Sequence, residues 1–393
     1  MQPKRTMAVR ALPLARALAA RGHEVLIVLP PWDHPQDAGW EWVETGLRVY
    51  NVRLPLHAPV LFHILLALRL VSACLQFSPE VVHCFKPKSY AGLAAWIIWQ
   101  LKRAGLVRCR LVVDTDDWEG SGGWNQLEPY SWLQRRLFSW QERWGLTHCD
   151  DVTVASRALE TIVWSLGTSR QRVHYLPNGA LLLPATHASQ RLEELGHSLG
   201  LPGSPVALLY TRFFEFTLER ALAIMQGVLA AVPDTRWLVV GKGLFGEEER
   251  LLSLARRVGI ADRVVYAGWV PAEEVPDYLS LASLAIYPYD DTLINRCKCA
   301  VKLVDLLGAG VPVVADRVGQ NAEYIQDGVS GLLSSPDDTA EFVANAVRLL
   351  QDAELARRIG AAAAARIRDH FSWEGLADAA EKAYQNLESK RAA

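Results

Sequence analysis

Residues 298–333 read KCAVKLVDLLGAGVPVVADRVGQNAEYIQDGVSGLL, and this stretch decides the fold class. The spacing of its apolar residues predicts a short helix that begins at about Ala300. Gly308 and Gly310 are predicted to end that helix, because glycine tolerates the left-handed backbone that follows many helices. The run PVVA at 312–315 is typical of a strand buried on both faces. The stretch therefore predicts one helix–strand unit of an α/β sheet.

The start of this predicted helix carries residues that suit an anionic ligand. A helix N-terminus offers free N–H groups and the positive end of a dipole, and both favour a phosphate. Lys298 and Lys302 add positive point charges, and Asp305 follows at a position that suits hydrogen bonds from a ribose diol. A solvated helix start with a surface aspartate is the alternative that these residues leave open.

The alternation of strands and helices continues outward from this stretch in both directions. Segments with apolar residues three and four apart separate β-branched runs, which predicts parallel sheets covered by helices on both faces. Ligands of such sheets bind at the carboxyl ends of the strands. The predicted strands are 24–29, 47–54, 80–84, 109–114, 151–155, 172–176, 206–211, 237–241, 263–267, 284–288 and 311–315.

Turn-rich sequence interrupts the alternation at 177–205, where we expect a linker. The fold class predicted is α/β, with two doubly wound, Rossmann-like domains that face each other across a cleft. We expect the N-terminal domain at 1–185, the C-terminal domain at 200–370, and a last helix at 371–393 that packs back toward the N-terminal domain. No strand precedes the first predicted helix, 7–21, so the usual first strand is expected to be missing.

The composition excludes several classes of function. The 393 residues carry a net charge of −2, which provides no basic excess for binding nucleic acid. The 6 cysteines are scattered and lack zinc-ligand spacing, so we expect reduced thiols, a cytoplasmic protein and no metal site. The most apolar stretch, 60–77, contains His63 and Arg69 and is short for a membrane span. No signal peptide is expected at the start of the chain.

The stretch at 298–333 resembles the signature of the two-domain GT-B glycosyltransferases, specifically the retaining family-four type. In that signature a second glutamate lies eight residues after a first, and a small-residue helix, G-x-P-V-V, a turn with glutamate and G-x-x-G follow. Cys297 stands where the first glutamate is expected. The resemblance extends from about residue 10 to residue 388, and the matching positions are Asp305, Gly310, Pro312, Val313, Glu323, Gly328 and Gly331.

The resemblance implies a donor-binding C-terminal domain. Asp305 is expected to bind the ribose of a nucleoside-diphosphate sugar, most often UDP- or GDP-linked, and no metal or other cofactor is required. Gly241 and Lys242 match the family's glycine turn after a strand, where backbone approaches the ligand. The other residues expected to bind the donor are Lys298, Lys302 and Glu323.

Two arginines are expected to bind the donor diphosphate. Arg212 follows the predicted strand 206–211 and matches the family's first basic residue, and Arg220 is the candidate for the second. A guanidinium group forms paired hydrogen bonds with phosphate oxygens and stabilises the charge that builds on a leaving diphosphate. Arg212 is therefore also a predicted catalytic residue. Pairing of these arginines with Glu215 or Glu219 is the alternative.

The N-terminal domain offers a second group of candidates, in the sequence DTDDW at 114–118. Asp116 and Asp117 take the positions of a His-Asp pair that lies near the acceptor in the family. As catalytic residues they would position an acceptor hydroxyl or accept its proton. The same carboxylates could cap a turn or bind a cation. His83 ends another predicted strand, where a structural role is the alternative.

A tryptophan-rich segment spans 118–144. Leu133, Leu137, Trp140 and Trp144 share one helical face, and Arg135, Arg136 and Arg143 lie near them. One interpretation is an amphipathic helix that packs this face into the core. The other is an aromatic and basic surface that meets a bilayer or a lipid-linked acceptor.

The sequence thus predicts a glycosyltransferase that moves a sugar from a nucleoside-diphosphate sugar to a glycan or lipid-linked acceptor hydroxyl, with retention at the anomeric carbon. We expect it in the cytoplasm, with peripheral contact at the inner face of the membrane. A nucleotide-sugar epimerase is one alternative. A degenerate protein that binds a nucleotide or partner without turnover is another, suggested by Cys297 and the missing strand.

Overall fold

The computed structural model describes residues 6–32, 34–56, 59–181 and 189–385. The chain divides into two compact units. The first unit comprises Met1–Gly179, Cys297–Cys299 and Ser372–Ala393, and the second comprises Ala180–Arg296 and Ala300–Phe371.

Alternating strands and helices make up both units. The strands are β1 Val25–Leu29, β2 Glu41–Glu44, β3 Leu47–Asn51, β4 Val81–Phe85, β5 Arg110–Thr115, β6 Asp151–Val154, β7 Val173–Tyr175, β8 Val206–Tyr210, β9 Arg236–Val240, β10 Val264–Gly268, β11 Leu284–Tyr287, β12 Val313–Asp316 and β13 Leu332–Ser334. The helices are α1 Leu12–Ala20, preceded by a π-helical turn, α2 Pro59–Gln76, α3 Tyr90–Arg103, α4 Trp132–Thr147, α5 Arg157–Ser165, α6 Ser189–Ser198, α7 Leu218–Ala231, α8 Glu247–Arg257, α9 Val275–Ser280, α10 Leu293–Cys297, α11 Val301–Gly308, α12 Asn321–Tyr324, α13 Thr339–Gln351, α14 Ala353–His370 and α15 Trp373–Gln385.

The first unit contains two sheets. One has the strand order β1-β3-β2, and the other has the order β4-β5-β6-β7 with all its strands parallel. Leu111, Val112 and Val113 in β5 are completely buried, as expected for a strand covered on both faces. The carboxyl ends of β4 and β5 therefore meet at one edge of this sheet.

The second unit contains a single parallel sheet of 6 strands in the order β10-β9-β8-β11-β12-β13. Its central strands bury Leu208, Leu238 and Ile286 completely. The strand order reverses between β8 and β11, and ligands of doubly wound sheets bind at such a switch point. The α/β fold class is confirmed, and all the predicted strands are present.

Two strands escaped prediction, for different reasons. β2, with the sequence EWVE, is antiparallel to β3 and has alternating exposure, so it lacks the apolar run of a buried strand. β13 is only 3 residues long and lies at the sheet edge. Both are edge strands, which need less apolar sequence than central strands do.

The burial of residues in α4 decides between the two interpretations of the tryptophan-rich segment. Its core-facing residues are Phe138, Gln141, Glu142, Gly145 and Leu146. Leu133, Leu137 and Trp140 are exposed, and only Trp144 is half-buried. The interpretation that places this face in the core is therefore wrong. Across the described part of the chain, no helix has the length and hydropathy to cross a bilayer.

Candidate functional site

Three side chains meet at the carboxyl end of β8 in the second unit, and we name Tyr210, Lys302 and Asp305 the strand-end cluster. The Lys302 ammonium lies 3.3 Å from the centre of the Tyr210 ring. Burial raises the pKa of the Asp305 carboxyl to about 6, and the positive charge of Lys302 opposes that rise. Burial and the charge of Asp305 also raise the pKa of the Tyr210 hydroxyl. Lys302 and Asp305 thus lie together at a predicted ligand-binding edge.

The first turn of α11 is held in place from outside the helix. The N–H of Ala300, its N-cap residue, donates to Oε1 of the fully buried Gln320 at 2.8 Å. Gly319 precedes that glutamine with a φ of +50°, and a Cβ there would lie 2.6 Å from the Asn295 carbonyl oxygen. Glycine is therefore required at this turn, which fixes the direction in which the α11 N-terminus points.

Arg212 lies in a strained loop directly after β8. Thr211 Oγ1 donates to Glu215 at 3.0 Å and accepts from the N–H of Phe213 at 2.8 Å. Phe213 has a φ of 68°, which is unusual for a bulky residue. The Arg212 guanidinium lies 5.8 Å from the centre of the Phe214 ring. Strain of this kind often occurs in loops that bind ligands.

Gly241 joins the carboxyl ends of three neighbouring strands. It follows β9 with a φ of +126°, its N–H donates to the Gly268 carbonyl at 2.8 Å, and a Cβ would lie only 1.9 Å from the Thr211 carbonyl oxygen. No other residue fits this close approach. Lys242, the next residue, is exposed at the same edge.

Glu323 lies in the short helix α12 and is half-buried. Arg366 from α14 donates to the backbone carbonyl groups of Glu323 at 3.1 Å and Tyr324 at 2.7 Å. These bonds satisfy carbonyl groups at the end of α12 and hold the helix in place.

Arg220 has a different environment from the one that the sequence predicts. Its two terminal nitrogens donate to Asp316 at 2.9 and 2.6 Å, and Asp290 lies 3.4 Å away. Its side chain is 8% exposed, and that of Asp316 is completely buried. The partner is thus neither Glu215 nor Glu219. This pairing disfavours direct contact between Arg220 and a diphosphate, because carboxylates already occupy the guanidinium.

In the first unit, the carboxyl ends of β4 and β5 hold a charged group around DTDDW. Lys86 Nζ lies 3.0 Å from Glu119, 3.4 Å from Asp117 and 3.7 Å from Asp116, and Lys88 donates to Glu119 at 2.6 Å. Lys86 has a φ of 55°, so the loop that carries it is strained. We name these five residues the acidic cluster.

Asp117 of the acidic cluster has a carboxyl pKa that is shifted toward neutral pH. Burial raises the pKa of its carboxyl to about 6, and Lys86 opposes the rise, as Lys298 also does, while the charges of Asp116 and Glu119 add to it. A carboxyl group with a pKa near 6 can gain and lose a proton close to neutral pH. Asp116 and Asp117 thus lie in a setting that suits acid–base chemistry.

The segment Cys297–Cys299 belongs to the first unit. The Cys297 carbonyl accepts from Ser156 at 3.1 Å, and the Cys299 N–H donates to Asp117 at 3.4 Å. Lys298 is 9% exposed and contributes to the electrostatics of Asp117. Lys298 thus belongs to the first unit and Lys302 to the second, and the donor-binding role expected of both stays a prediction.

Sequence reasoning missed Arg10, which is completely buried. Its guanidinium donates to both oxygens of Asp114 at 2.7 and 2.6 Å and to Asn178 Oδ1 at 2.9 Å. Asp114 lies in β5, so this ion pair joins Arg10 to the strand that leads into the acidic cluster. Arg10 lies three residues after the buried Met7 and four before the buried Leu14, and this helical spacing is the signal that could have identified it.

His83 has a structural environment. Its ring nitrogens lie 2.9 Å from the Tyr384 hydroxyl and 3.0 Å from Thr153 Oγ1. Burial, together with the charge of Arg10, lowers the pKa of the imidazole to about 3. The ring is therefore neutral, as in the structural alternative.

A metal site is the remaining alternative for the carboxylates of DTDDW. Within the described ranges, no group of three or more histidine, cysteine, aspartate or glutamate residues could hold a metal ion. Lysine ammonium groups are instead the cations that face Asp116, Asp117 and Glu119.

Two sequence profiles of known families match the chain. The family described as Glycosyl transferase 4-like domain matches residues 5–179, and the family described as Glycosyl transferases group 1 matches residues 207–352. The first match contains DTDDW, and the second contains Arg212 and the strand-end cluster.

Curated relatives of the chain have names that specify different substrates. The chain is 27% identical over 372 residues to the GDP-mannose-dependent alpha-(1-6)-phosphatidylinositol monomannoside mannosyltransferase of Mycolicibacterium smegmatis, covering 90% of this chain and 88% of that protein. It is 25% identical over 247 residues to the N-acetyl-alpha-D-glucosaminyl L-malate synthase of Bacillus anthracis. The latter match spans 62% of each protein, less than two thirds of the relative's length.

Solved structures show the same fold. Sucrose-phosphate synthase from Thermosynechococcus elongatus superposes with a TM-score of 0.72 at 20% identity, covering 99% of this chain and 94% of that one. Anabaena HepE in complex with UDP-glucose gives a TM-score of 0.67 at 17% identity, covering 99% and 97%. These likenesses establish a GT-B fold of two Rossmann-like domains. With profile matches in both halves of the sequence, the chain belongs to the group 1 glycosyltransferases.

Proposed function

We propose that this glycosyltransferase moves a hexosyl group from a nucleoside-diphosphate sugar to an acceptor hydroxyl, with retention of the anomeric configuration. The observation that carries the donor side is the strand-end cluster, in which a lysine and a half-buried aspartate lie beside the strand that leads into Arg212. A cation and a carboxylate at one sheet edge suit the diphosphate and the ribose of the same ligand.

Each donor-side residue has a role that follows from its position. Lys302 and the N-terminal amides of α11 bind the diphosphate, and Asp305 accepts hydrogen bonds from the ribose hydroxyls. The glycine at 241 allows close backbone approach, and Lys242 and Glu323 complete the donor contacts. Because these groups supply positive charge and hydrogen bonds, the reaction requires no metal ion.

The chemical step breaks the bond between the anomeric carbon and the diphosphate oxygen, which leaves with the electron pair. The acceptor oxygen forms the new bond on the face of that carbon from which the diphosphate departs, which retains the configuration, and the acceptor oxygen loses its proton. Arg212 stabilises the charge on the departing diphosphate, and Asp116 and Asp117 position the acceptor hydroxyl. Asp117 takes the proton, because its carboxyl with a pKa of about 6 is largely ionised at neutral pH.

The roles of two residues change from those that the sequence predicts. Arg220 acts as a positioning residue, because its ion pair with Asp316 ties α7 to the end of β12. Lys298 acts on the acceptor side by lowering the pKa of Asp117.

The donor base is uracil or guanine, and the reaction belongs to glycan or glycolipid biosynthesis in the cytoplasm. The name of the mycobacterial relative specifies GDP-mannose, and HepE was solved with UDP-glucose. Either base suits a site lined by backbone atoms, such as the end of β10 at Gly268, which has a φ of 76°.

Calorimetric titration with UDP, GDP, ADP and CDP, followed by turnover assays with the matching sugar nucleotides, tests this function. We expect one diphosphate to bind selectively and Asp305→Asn to weaken it about tenfold, the loss of one charged hydrogen bond. Asp234→Asn is the matched control, because Asp234 is exposed in the turn before β9, at the amino edge of the sheet. Selective binding without turnover on any acceptor would contradict the transferase proposal and favour a nucleotide-binding protein.

A further inference from the structure

The outer face of α4 is apolar and exposed. The exposed fractions are 68% for Trp132, 70% for Leu133, 44% for Leu137 and 47% for Trp140. The last three recur at helical spacing, and Trp132 begins the helix beside them. We name these four residues the α4 ridge.

The exposed charged residues of α4 itself are all basic. Arg135, Arg136 and Arg143 are exposed on the same helix. Its single acidic residue, Glu142, points inward, where it accepts from the Glu119 N–H at 2.9 Å and from Thr115 at 3.3 Å. The exposed surface of α4 therefore combines apolar side chains with positive charge and contributes no carboxylate of its own.

A surface pocket of about 400 Å³ lies beside the first turns of α4. Trp132 forms part of its wall, and its polar lining side chains are Ser121, Asn125, Gln126, Arg135, Arg136 and Ser139. Asn125 is 2% exposed, yet neither polar atom of its amide has a hydrogen-bond partner in the part of the chain that the structure describes. A buried amide without partners is costly unless a ligand supplies them.

We propose that the α4 ridge is a docking surface for a lipid bilayer that contains anionic phospholipids, and that the adjacent pocket binds a lipid phosphate. Tryptophan and leucine side chains enter the interfacial region, while the arginines face the headgroups. Arg135 and Arg136 supply charge-assisted donors to the phosphate, and Asn125 supplies the buried amide donor. This inference does not depend on the sugar-transfer reaction.

Charge complementarity selects the bilayer as the occupant. The chain as a whole has a net charge of −2, so positive charge without carboxylates is a local property of this helix. An anionic membrane surface attracts each nearby basic residue and concentrates the protein where the apolar side chains can insert. An apolar protein partner would require no such cluster of arginines.

Flotation of the full chain with vesicles tests the inference. We expect binding to mixed phosphatidylcholine and phosphatidylglycerol vesicles, at least about tenfold weaker binding to phosphatidylcholine alone, and release by salt. The double variant Leu133→Ser/Trp140→Ser should lose binding. Arg136→Gln/Arg143→Gln should weaken it on the order of twentyfold, at about fivefold for each arginine. Trp40→Ser/Val43→Ser is the matched control, because both residues are exposed near or in β2.

Three outcomes would overturn the inference. The first is equal, salt-independent binding of the unaltered protein to both kinds of vesicle. This measurement does not depend on whether a variant folds. The second is binding of glycerol 3-phosphate in solution as tightly as vesicles, with Leu133→Ser/Trp140→Ser unaffected, because the ligand would then be a free phosphate compound. The third is a concentration-dependent dimer that the same double variant abolishes, because a second copy would then cover the ridge. Activity on a water-soluble acceptor is measured in parallel, and its loss or retention does not bear on vesicle binding.

Discussion

Arg10 and Asp114 form a completely buried, two-point ion pair, with 2.7 Å between Nε and Oδ1 and 2.6 Å between Nη2 and Oδ2. Burial alone would lower the pKa of the guanidinium, but the charge and hydrogen bonds of Asp114 outweigh it and raise the pKa. The Asp114 carboxyl has a raised pKa, because burial outweighs Arg10. The pair connects the first helical segment to β5.

Removing one partner of this ion pair should destabilise the protein strongly. Arg10→Ala leaves the Asp114 carboxylate buried without its counter-charge, and we expect a loss of about 3–5 kcal/mol in the free energy of unfolding. Urea denaturation measures it. Arg16→Ala is the control, since Arg16 pairs with Glu44 on the surface and should cost about 0–1 kcal/mol. Equal losses for the two variants would contradict a structural role of Arg10.

Substitution of Arg220 tests whether this residue positions other parts of the site through Asp316 or binds the diphosphate directly. Arg220→Ala should lower the free energy of unfolding by about 3–5 kcal/mol, because the buried Asp316 carboxylate would lose its counter-charge. Nucleoside-diphosphate affinity, measured at a temperature where the variant is folded, should change less than tenfold. A large loss of affinity with unchanged stability would instead restore Arg220 as a diphosphate ligand.

Substitution of Gly241 tests how closely the carboxyl ends of β8 and β9 must approach each other. A Cβ at this residue would lie 1.9 Å from the Thr211 carbonyl oxygen, so Gly241→Ala must displace the loop that carries Arg212. We expect a loss of about 2–4 kcal/mol in stability and a loss of diphosphate affinity. Gly259→Ala is a matched control, because its φ is +78° but nothing lies within 4 Å of the added Cβ. It should cost about 1 kcal/mol, and affinity should not change.

The strand-end cluster predicts a pH dependence of nucleoside binding. The Asp305 carboxyl has a pKa of about 6, so it is mostly ionised at pH 7 and mostly protonated at pH 5. The ionised form accepts both ribose hydroxyls, and affinity should therefore fall about tenfold from pH 7 to pH 5. The nucleoside of the preferred base is the ligand to titrate, because it carries no phosphate that titrates. Asp305→Asn should show a flat profile, and a slope retained in that variant would assign the titration to another group.

Much of the fold was predictable from sequence, because buried parallel strands need apolar, β-branched runs. Asp305 and Lys302 were predictable as a pair, since residues three apart in a helix lie on the same face. Lys298 was not, because sequence distance does not reveal that Cys297–Cys299 joins the first unit. For α4 the sequence left two interpretations open, because an amphipathic pattern does not state which of two faces packs into the core. Here buried Gln141 and Glu142 lie on the core side.

Asp117 gives the last prediction, on the acid limb of the pH–rate profile. As the proposed base, it must be ionised to accept the acceptor proton, so kcat/KM should fall as the pH decreases through about 6, its pKa. The positive charge of Lys86 lowers that pKa, so Lys86→Met should move the acid limb to higher pH. Asp117→Asn should remove the limb and most of kcat. Lys382→Met, at an exposed residue of α15, is the control and should leave the profile unchanged. An acid limb that stays in place in Lys86→Met would assign it to a group outside the acidic cluster.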